Sequence, residues 1–275
     1  MPTPLVREDL SSLTLQDTPV AQFWYQNRTP ITRLAATIAF LCVWEASVRL
    51  GWVDPLFLAS PTQVLARLFD VFWDGSIWPH LAASGRTAAL GFLLSVLVGV
   101  PIGIAMGRST LVRDTLEPFI MAQASIPTVA LLPLLIIWLG IGTSAQVMLV
   151  FIGTVFGMIV STEAGVRNID QRLVETSRSF TATEWKILWY VVIPAALSYI
   201  IAGMRLSVSR VLIMVVVAEL YASQAGIGYM IFQAAASYDT PTIFVGVVIL
   251  AAAGIVMNSV LRFTEKHLAP WKSSE

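Results

Sequence analysis

The sequence predicts an all-α polytopic membrane protein with six transmembrane helices. Three observations carry that prediction. The 275 residues include only 17 Lys/Arg and 17 Asp/Glu, a charged fraction of 12%, where an ordinary soluble domain has about 25%. Residues 87–107, 118–162 and 240–261 contain no charge at all. The basic residues collect between alternate apolar runs, as the positive-inside rule requires of a multi-pass chain.

Residues 1–32 read as a cytoplasmic segment. They carry Arg7, Glu8 and Asp9 and lack the apolar core of a secretory signal. The first span, 33–53, then serves as the uncleaved insertion signal, with Trp24 and Tyr25 placed as interfacial anchors. Glu45 and Arg49 interrupt it. They stand four apart with the acid first, the favourable order for an ion pair on one helix face. Residues 54–83 are expected to lie on the extracytoplasmic side.

A hydrocarbon core of about 30 Å takes about 20 apolar helical residues. The runs 87–107 and 240–261 each suit one span. The 45-residue run 118–162 suits two, 118–139 and 143–162, joined by a tight turn at Gly140, Gly142 and Thr143. A fifth span lies within 187–220, which holds Pro194, Arg205 and Arg210. The sixth carries Ala251–Gly254, small residues suited to close helix packing. Residues 263–275 form a tail. Pro101, Pro127 and Pro133 fall inside the second and third spans, where each removes a backbone hydrogen bond and favours a bend.

Six spans place both termini on one side. Twelve basic residues lie at the N-terminus, in the loops after spans two and four, and in the tail; Arg49, Arg67 and Arg86 lie opposite. Both termini are therefore expected in the cytoplasm of a bacterial cell, with the chain in its inner membrane.

Several chemistries have no support. Net charge is zero, against a nucleic-acid surface. The lone Cys42 allows no internal disulfide, and no Cys/His cluster could hold a metal. His80 and His267 read as ordinary surface or interfacial histidines. There is no P-loop, no H-E-x-x-H and no G-x-S-x-G. The chain is read as a transport component without catalytic residues, not as an enzyme.

Residues 163–186 differ from everything around them. Glu163, Arg167, Asp170, Arg172, Glu175, Arg178, Glu184 and Lys186 give eight charges in 24 residues. A bare connector needs only a few residues. Short cytoplasmic helices are expected here, with Asp170 as N-cap of one running through Leu173, Val174, Ser177 and Phe180. Such a projection suits docking by a cytoplasmic partner.

Here the sequence resembles a known family. Glu175-Thr-Ser-Arg-Ser-Phe-Thr-Ala182, followed by Val191-Val-Ile-Pro194, looks like the EAA loop of ATP-binding-cassette importer permeases. Thr176 and Ser177 stand at its two small positions. Thr181 stands where the family has Gly, the residue suited to positive φ; Thr is suited instead to N-cap a following helix, as is Thr183. Further stretches are similar to the nitrate/sulfonate/taurine (and bicarbonate) branch: Leu58–Val64, Ile126–Gly142, Gly165–Asp170, and Val217-Ala-Glu219 with Gly226-Ile-Gly228-Tyr229.

The resemblance implies a type I importer permease fold, with a permease core over 84–262 and a coupling loop over 163–194. It implies a homodimer, two ATPase subunits that use ATP-Mg, an extracytoplasmic substrate-binding protein, and no cofactor on this chain. Glu175, Thr176, Ser177, Arg178, Thr181, Ala182 and Pro194 would couple to the ATPase, with Glu175 either facing it or capping the coupling helix. The solute would be a small anion of the nitrate, sulfonate, taurine, bicarbonate or aromatic carboxylate class.

Polar residues within the spans are the pathway candidates: Gln123, Ser125 and Thr128 in span three; Arg205, Ser207, Ser209, Arg210 and Glu219 in span five. Arg205 and Arg210 either attract an anion or snorkel to the cytoplasmic surface. Glu219 belongs near the extracytoplasmic end. The rival reading is a stand-alone secondary transporter or channel, which would favour an inverted repeat; no convincing one is present. A membrane-embedded enzyme would need a clustered polar site, and none is seen.

Overall fold

The computed structural model describes residues 19–268. The expectations for Arg7, Trp24, Tyr25, Arg28, Lys266 and Lys272 concern terminal residues or side chains outside that description. All regular structure among the described residues is helical. Contacts divide the chain into two compact units, Met1–Thr62 and Gln63–Glu275.

In the first unit, helix α1 (Pro19–Arg49) ends in the expected Glu45–Arg49 ion pair. Glu45 does more than pair. Its carboxylate accepts hydrogen bonds from the Thr62 amide, 3.1 Å, and the Thr62 hydroxyl, 2.7 Å. Trp44 donates its indole N–H to the Ala59 carbonyl at 3.0 Å. The turn through residues 58–62 is thereby fastened to the end of α1.

The second unit begins within α2 (Pro61–Trp73) and continues through α3 (Ile77–Arg108), α4 (Thr110–Ala124), a 3-10 turn (Thr128–Leu131), α5 (Leu132–Leu139), α6 (Thr143–Arg167), α7 (Gln171–Ser179), α8 (Glu184–Ile187), a π turn (Leu188–Val192), α9 (Ile193–Ala222), α10 (Ile227–Ala236) and α11 (Thr240–Leu268). Among the described residues, four stretches are long and apolar enough to cross a bilayer: α3, α6, the continuous run Glu184–Ala222, and α11. The expected third span, 118–139, is not one helix. It lies within two, Thr110–Ala124 and Thr128–Leu139, bent by 91°. The break falls at Ser125-Ile126-Pro127, because proline has no amide hydrogen and drives the residue before it out of the helical region. The count among the described residues is thus four, or five if the bent pair is one span. Helix α1 is not among them; its described part carries Arg33, Glu45 and Arg49.

Other boundaries also move. Helix α3 starts at Ile77, so the last residues of the expected extracytoplasmic segment are helical. Helix α6 continues to Arg167, and the charged loop begins after it; Glu163 and Arg167 pair along α6 at 3.2 Å. Pro101 sits inside an unbroken α3, whereas Pro133 occupies the first turn of α5, where its missing donor costs nothing. Pro194, at the start of α9, cannot bond the carbonyl four residues back. The preceding turn widens, and the Ile193 amide reaches the Leu188 carbonyl five residues away.

Small residues set the packing of the unit. Along α3, Thr87, Gly91, Ser95, Gly99, Gly103 and Gly107 recur every four residues. Each faces the α6 residue 59 positions later: Gln146, Val150, Thr154, Met158, Thr162 and Val166. A constant offset means the two helices run parallel and in register. A Cβ on Gly91, Gly103 or Gly107 would come within 2.5–2.6 Å of α6 side-chain atoms, so only glycine permits this approach. Where polar side chains meet, they pair: Thr87 donates to Gln146 at 3.1 Å, and the Ser95 and Thr154 hydroxyls bond each other. On its other face α6 presents Gly153, Gly157, Ser161 and Gly165, again every four residues, to an antiparallel α9. The Ala251–Gly254 run is less enclosed: Ala251 and Ala252 are exposed, and Gly254 faces Leu212.

Candidate functional site

The charged loop folds into two short helices. Asp170 N-caps α7, accepting from the Arg172 amide at 2.9 Å. Thr183 caps α8, accepting from the Lys186 amide at 3.4 Å. Between them, the Ala182 amide donates to the Ser177 carbonyl at 3.2 Å, and Thr181 to Arg178 at 2.9 Å. This is a Schellman motif, and its left-handed position is Thr181, with φ +58°. The positive-φ turn is therefore retained without glycine. Thr181 is not an N-cap; Thr183 alone fills that role.

The projection is held from two sides. Beneath it, Val166, Ile169, Ile187, Val192, Ala196 and Ile200 form a buried cluster against which Val174 and Ala182 pack. Above, Glu184 accepts from Arg178 at 3.0 Å and pairs with Arg108 at the end of α3. Glu184 and Arg108 were not singled out from sequence, since 76 positions separate them. Thr176, Ser177 and Pro194 line one groove with Leu173 and Tyr190, so part of the expected coupling set converges. Glu175 is exposed and has no partner among the described residues; it caps nothing. Phe180 and Tyr190 are about 80% exposed, a large apolar display at this polar end.

The pathway candidates scatter. Gln123 and Thr128 line a cavity of about 490 Å³ walled by α4, the 3-10 turn, α6 and α9, together with Gly157, Ser161, Ser207 and Arg210. Ser125 is exposed and donates to the Met121 carbonyl of its own helix at 3.3 Å. Ser209 is exposed and lies off the cavity lining. Arg205 is tied to Glu265 of α11. Arg210 is exposed and has no ion-pair partner among the described residues.

Glu219 is fully buried and lines no cavity wall with Arg210. Its carboxylate accepts from the Ser84 hydroxyl at 2.7 Å and the Gly228 amide at 2.8 Å. Ser84 in turn accepts from the Ile227 amide at 2.8 Å, and His80 Nδ1 accepts from the Gly226 amide at 3.1 Å. Gly226 has φ +128°, and any Cβ there would overlap the Glu219 carboxyl group. The Glu219…Gly226-Ile-Gly228 pattern thus ties the α9–α10 turn to α3. His80 and Ser84 were missed from sequence because nothing local marks them.

Comparison with known proteins adds the following. The family model described as binding-protein-dependent transport system inner membrane component matches residues 99–274. The chain is 33% identical to the taurine transport system permease protein TauC of Escherichia coli (strain K12), over 90% of this chain and 92% of that one. It is 32% identical to the putative aliphatic sulfonates transport permease protein SsuC of Bacillus subtilis (strain 168), over 85% of each. A solved inward-facing structure of the MetNI methionine ABC transporter superposes with a TM-score of 0.55 at 17% identity, covering 68% of this chain and 97% of that one.

Proposed function

We propose a function from one premise: this chain belongs to the family of binding-protein-dependent transport system inner membrane components, and is the permease subunit of an ATP-binding-cassette importer. It is a transport component, not an enzyme. Two copies form the pathway, both termini face the cytoplasm, and an extracytoplasmic binding protein delivers the solute. Two ATPase subunits bind ATP-Mg and dock on the α7–α8 projection. The solute is a small molecule with an oxyanion head, with a sulfonate such as taurine the leading member, because the relatives named above are a taurine transport permease and a putative aliphatic sulfonates transport permease.

The observation that carries the reading is the rigid mounting of α7. Closure of an ATPase pair moves whatever it grips, and the spans follow only if the gripped element does not yield. Caps at both helices, a buried base and the Glu184 bridge supply that stiffness. Glu175, exposed mid-helix, is available to face the ATPase.

The test is ATP-driven taurine uptake into proteoliposomes containing this chain, its ATPase and its binding protein. Uptake is expected to require all three components. Glu175→Arg is expected to lower coupled uptake about tenfold or more, the scale of a lost interface hot spot, while membrane insertion persists. Uptake by this chain alone, without an ATPase, would sink the proposal.

A further inference from the structure

Arg210 is an unusual residue to find where the fold places it. It stands twelve residues before Ala222, the end of α9, roughly 18 Å along the helix at 1.5 Å per residue. With Ala222 taken at the edge of a hydrocarbon core of about 30 Å, that is close to the midplane. Its neighbour across the packing agrees: Arg210 Nη1 lies 3.2 Å from where a Cβ on Gly157 would stand, and Gly157 is near the middle of α6. Its guanidinium thus lies level with Gly157 of α6. It differs from Arg205, which a carboxylate on α11 neutralises. Among the described residues no carboxylate pairs with Arg210. A charged group at this depth is stable only where it faces the bundle interior or an aqueous cavity.

The second observation is Gln123. Its amide nitrogen is buried and has no hydrogen-bond partner, yet its side chain lines the same cavity as Arg210. An unpaired buried donor costs about 1–3 kcal/mol, which a ligand oxygen would recover once a turn of the side chain brings that nitrogen to the cavity. A guanidinium and an amide N–H, with the Ser161 hydroxyl nearby on the wall, form an acceptor-seeking donor set. Gly157, with no side chain, leaves room for the arginine to lie against α6.

We propose that Arg210 is the solute-contacting cation of the translocation pathway, with Gln123 as a neutral co-donor, and that together they receive the oxyanion head of a small sulfonate during passage. This rests on the importer reading. Contact in transit must be weak, so its signature is in selectivity and turnover.

Two readouts separate this proposal from its premise. In a Cys42→Ser background, Ala124→Cys places a thiol on the exposed wall of the cavity. Its reaction rates with sulfonate-bearing and trimethylammonium-bearing methanethiosulfonates are compared in the ATPase-bound complex in nanodiscs. The anion-to-cation rate ratio is expected to be about tenfold higher with Arg210 than with Arg210→Gln, a modest electrostatic focusing effect. An unchanged ratio overturns the anion site, whatever transport shows. In proteoliposomes, Arg210→Gln is expected to lower kcat/KM for taurine about tenfold or more, Arg210→Lys to retain part, and Gln123→Ala to lie between. Full uptake by Arg210→Gln overturns the solute contact, and so does failure of that variant to assemble, which would make Arg210 a packing residue. Absent taurine uptake by the wild-type complex would instead remove taurine as the solute, while the labelling ratio still decides the anion site.

Discussion

Thr181 shows how a single residue can keep a backbone its side chain disfavours. A left-handed conformation costs a non-glycine residue about 1–2 kcal/mol, and β-branching makes it a genuine outlier. Here the two Schellman hydrogen bonds and the packing of Ala182 hold it in place. Glycine relieves the strain but adds unfolded-state entropy of about 0.5–1 kcal/mol. We therefore expect Thr181→Gly to raise the thermal midpoint of the purified chain by about 1–2 °C, the equivalent of about 0.5 kcal/mol. A fall in midpoint would mean that the Thr181 hydroxyl, which donates to the Phe180 carbonyl at 2.7 Å, supports the turn. Asp170 and Thr183 illustrate the opposite case. Their capping roles were legible from sequence because a cap is a local matter of three residues.

At the scale of elements, the parallel pairing of α3 and α6 governs what the unit tolerates. The stripe on α3 is periodic in sequence, yet its meaning lies in the 59-residue offset to α6, which no window along the chain contains. Two glycines on the same helix test this. A Cβ on Gly103 would meet Thr162 at 2.6 Å and the Ile159 carbonyl at 2.7 Å, whereas one on Gly85 meets nothing within 4 Å. Gly103→Ala is expected to destabilise by about 1–3 kcal/mol through overpacking against backbone. Gly85→Ala is expected to be neutral or stabilising by up to about 1 kcal/mol, the helix-propensity difference. Thermal unfolding in detergent compares them; equal midpoints would contradict the close approach. The same scale explains the broken third span. Apolarity was read correctly over 118–139, but Pro127 decides that a 91° bend interrupts it.

For the whole molecule, the question is how a push at one end reaches the spans. Glu184 links the last turn of α7 to Arg108 on α3. Both ion pairs are largely solvent-exposed, so each contributes little to stability, of order 0–1 kcal/mol. Their expected effect is on transmission. Glu184→Gln should leave the thermal midpoint within about 2 °C, since surface changes of this kind stay within about 0.5 kcal/mol. It should nonetheless lower taurine uptake per ATP hydrolysed in the reconstituted importer. Unchanged coupling would show that the buried cluster beneath α7 transmits the motion alone.

The sequence by itself determined the membrane class, the charged projection, its caps and the family. These follow from hydrophobicity and charge, which sum along the chain, and from motifs confined to a few neighbouring residues. Tertiary structure alone decided that Glu219 meets Ser84 and Gly228, that Arg205 is neutralised while Arg210 has no ion-pair partner among the described residues, and that Gln123 shares a cavity with it. Each of these is a relation between residues on different helices. Such relations arise from how rigid elements pack, and packing depends on shape and register in three dimensions, which a one-dimensional pattern does not carry.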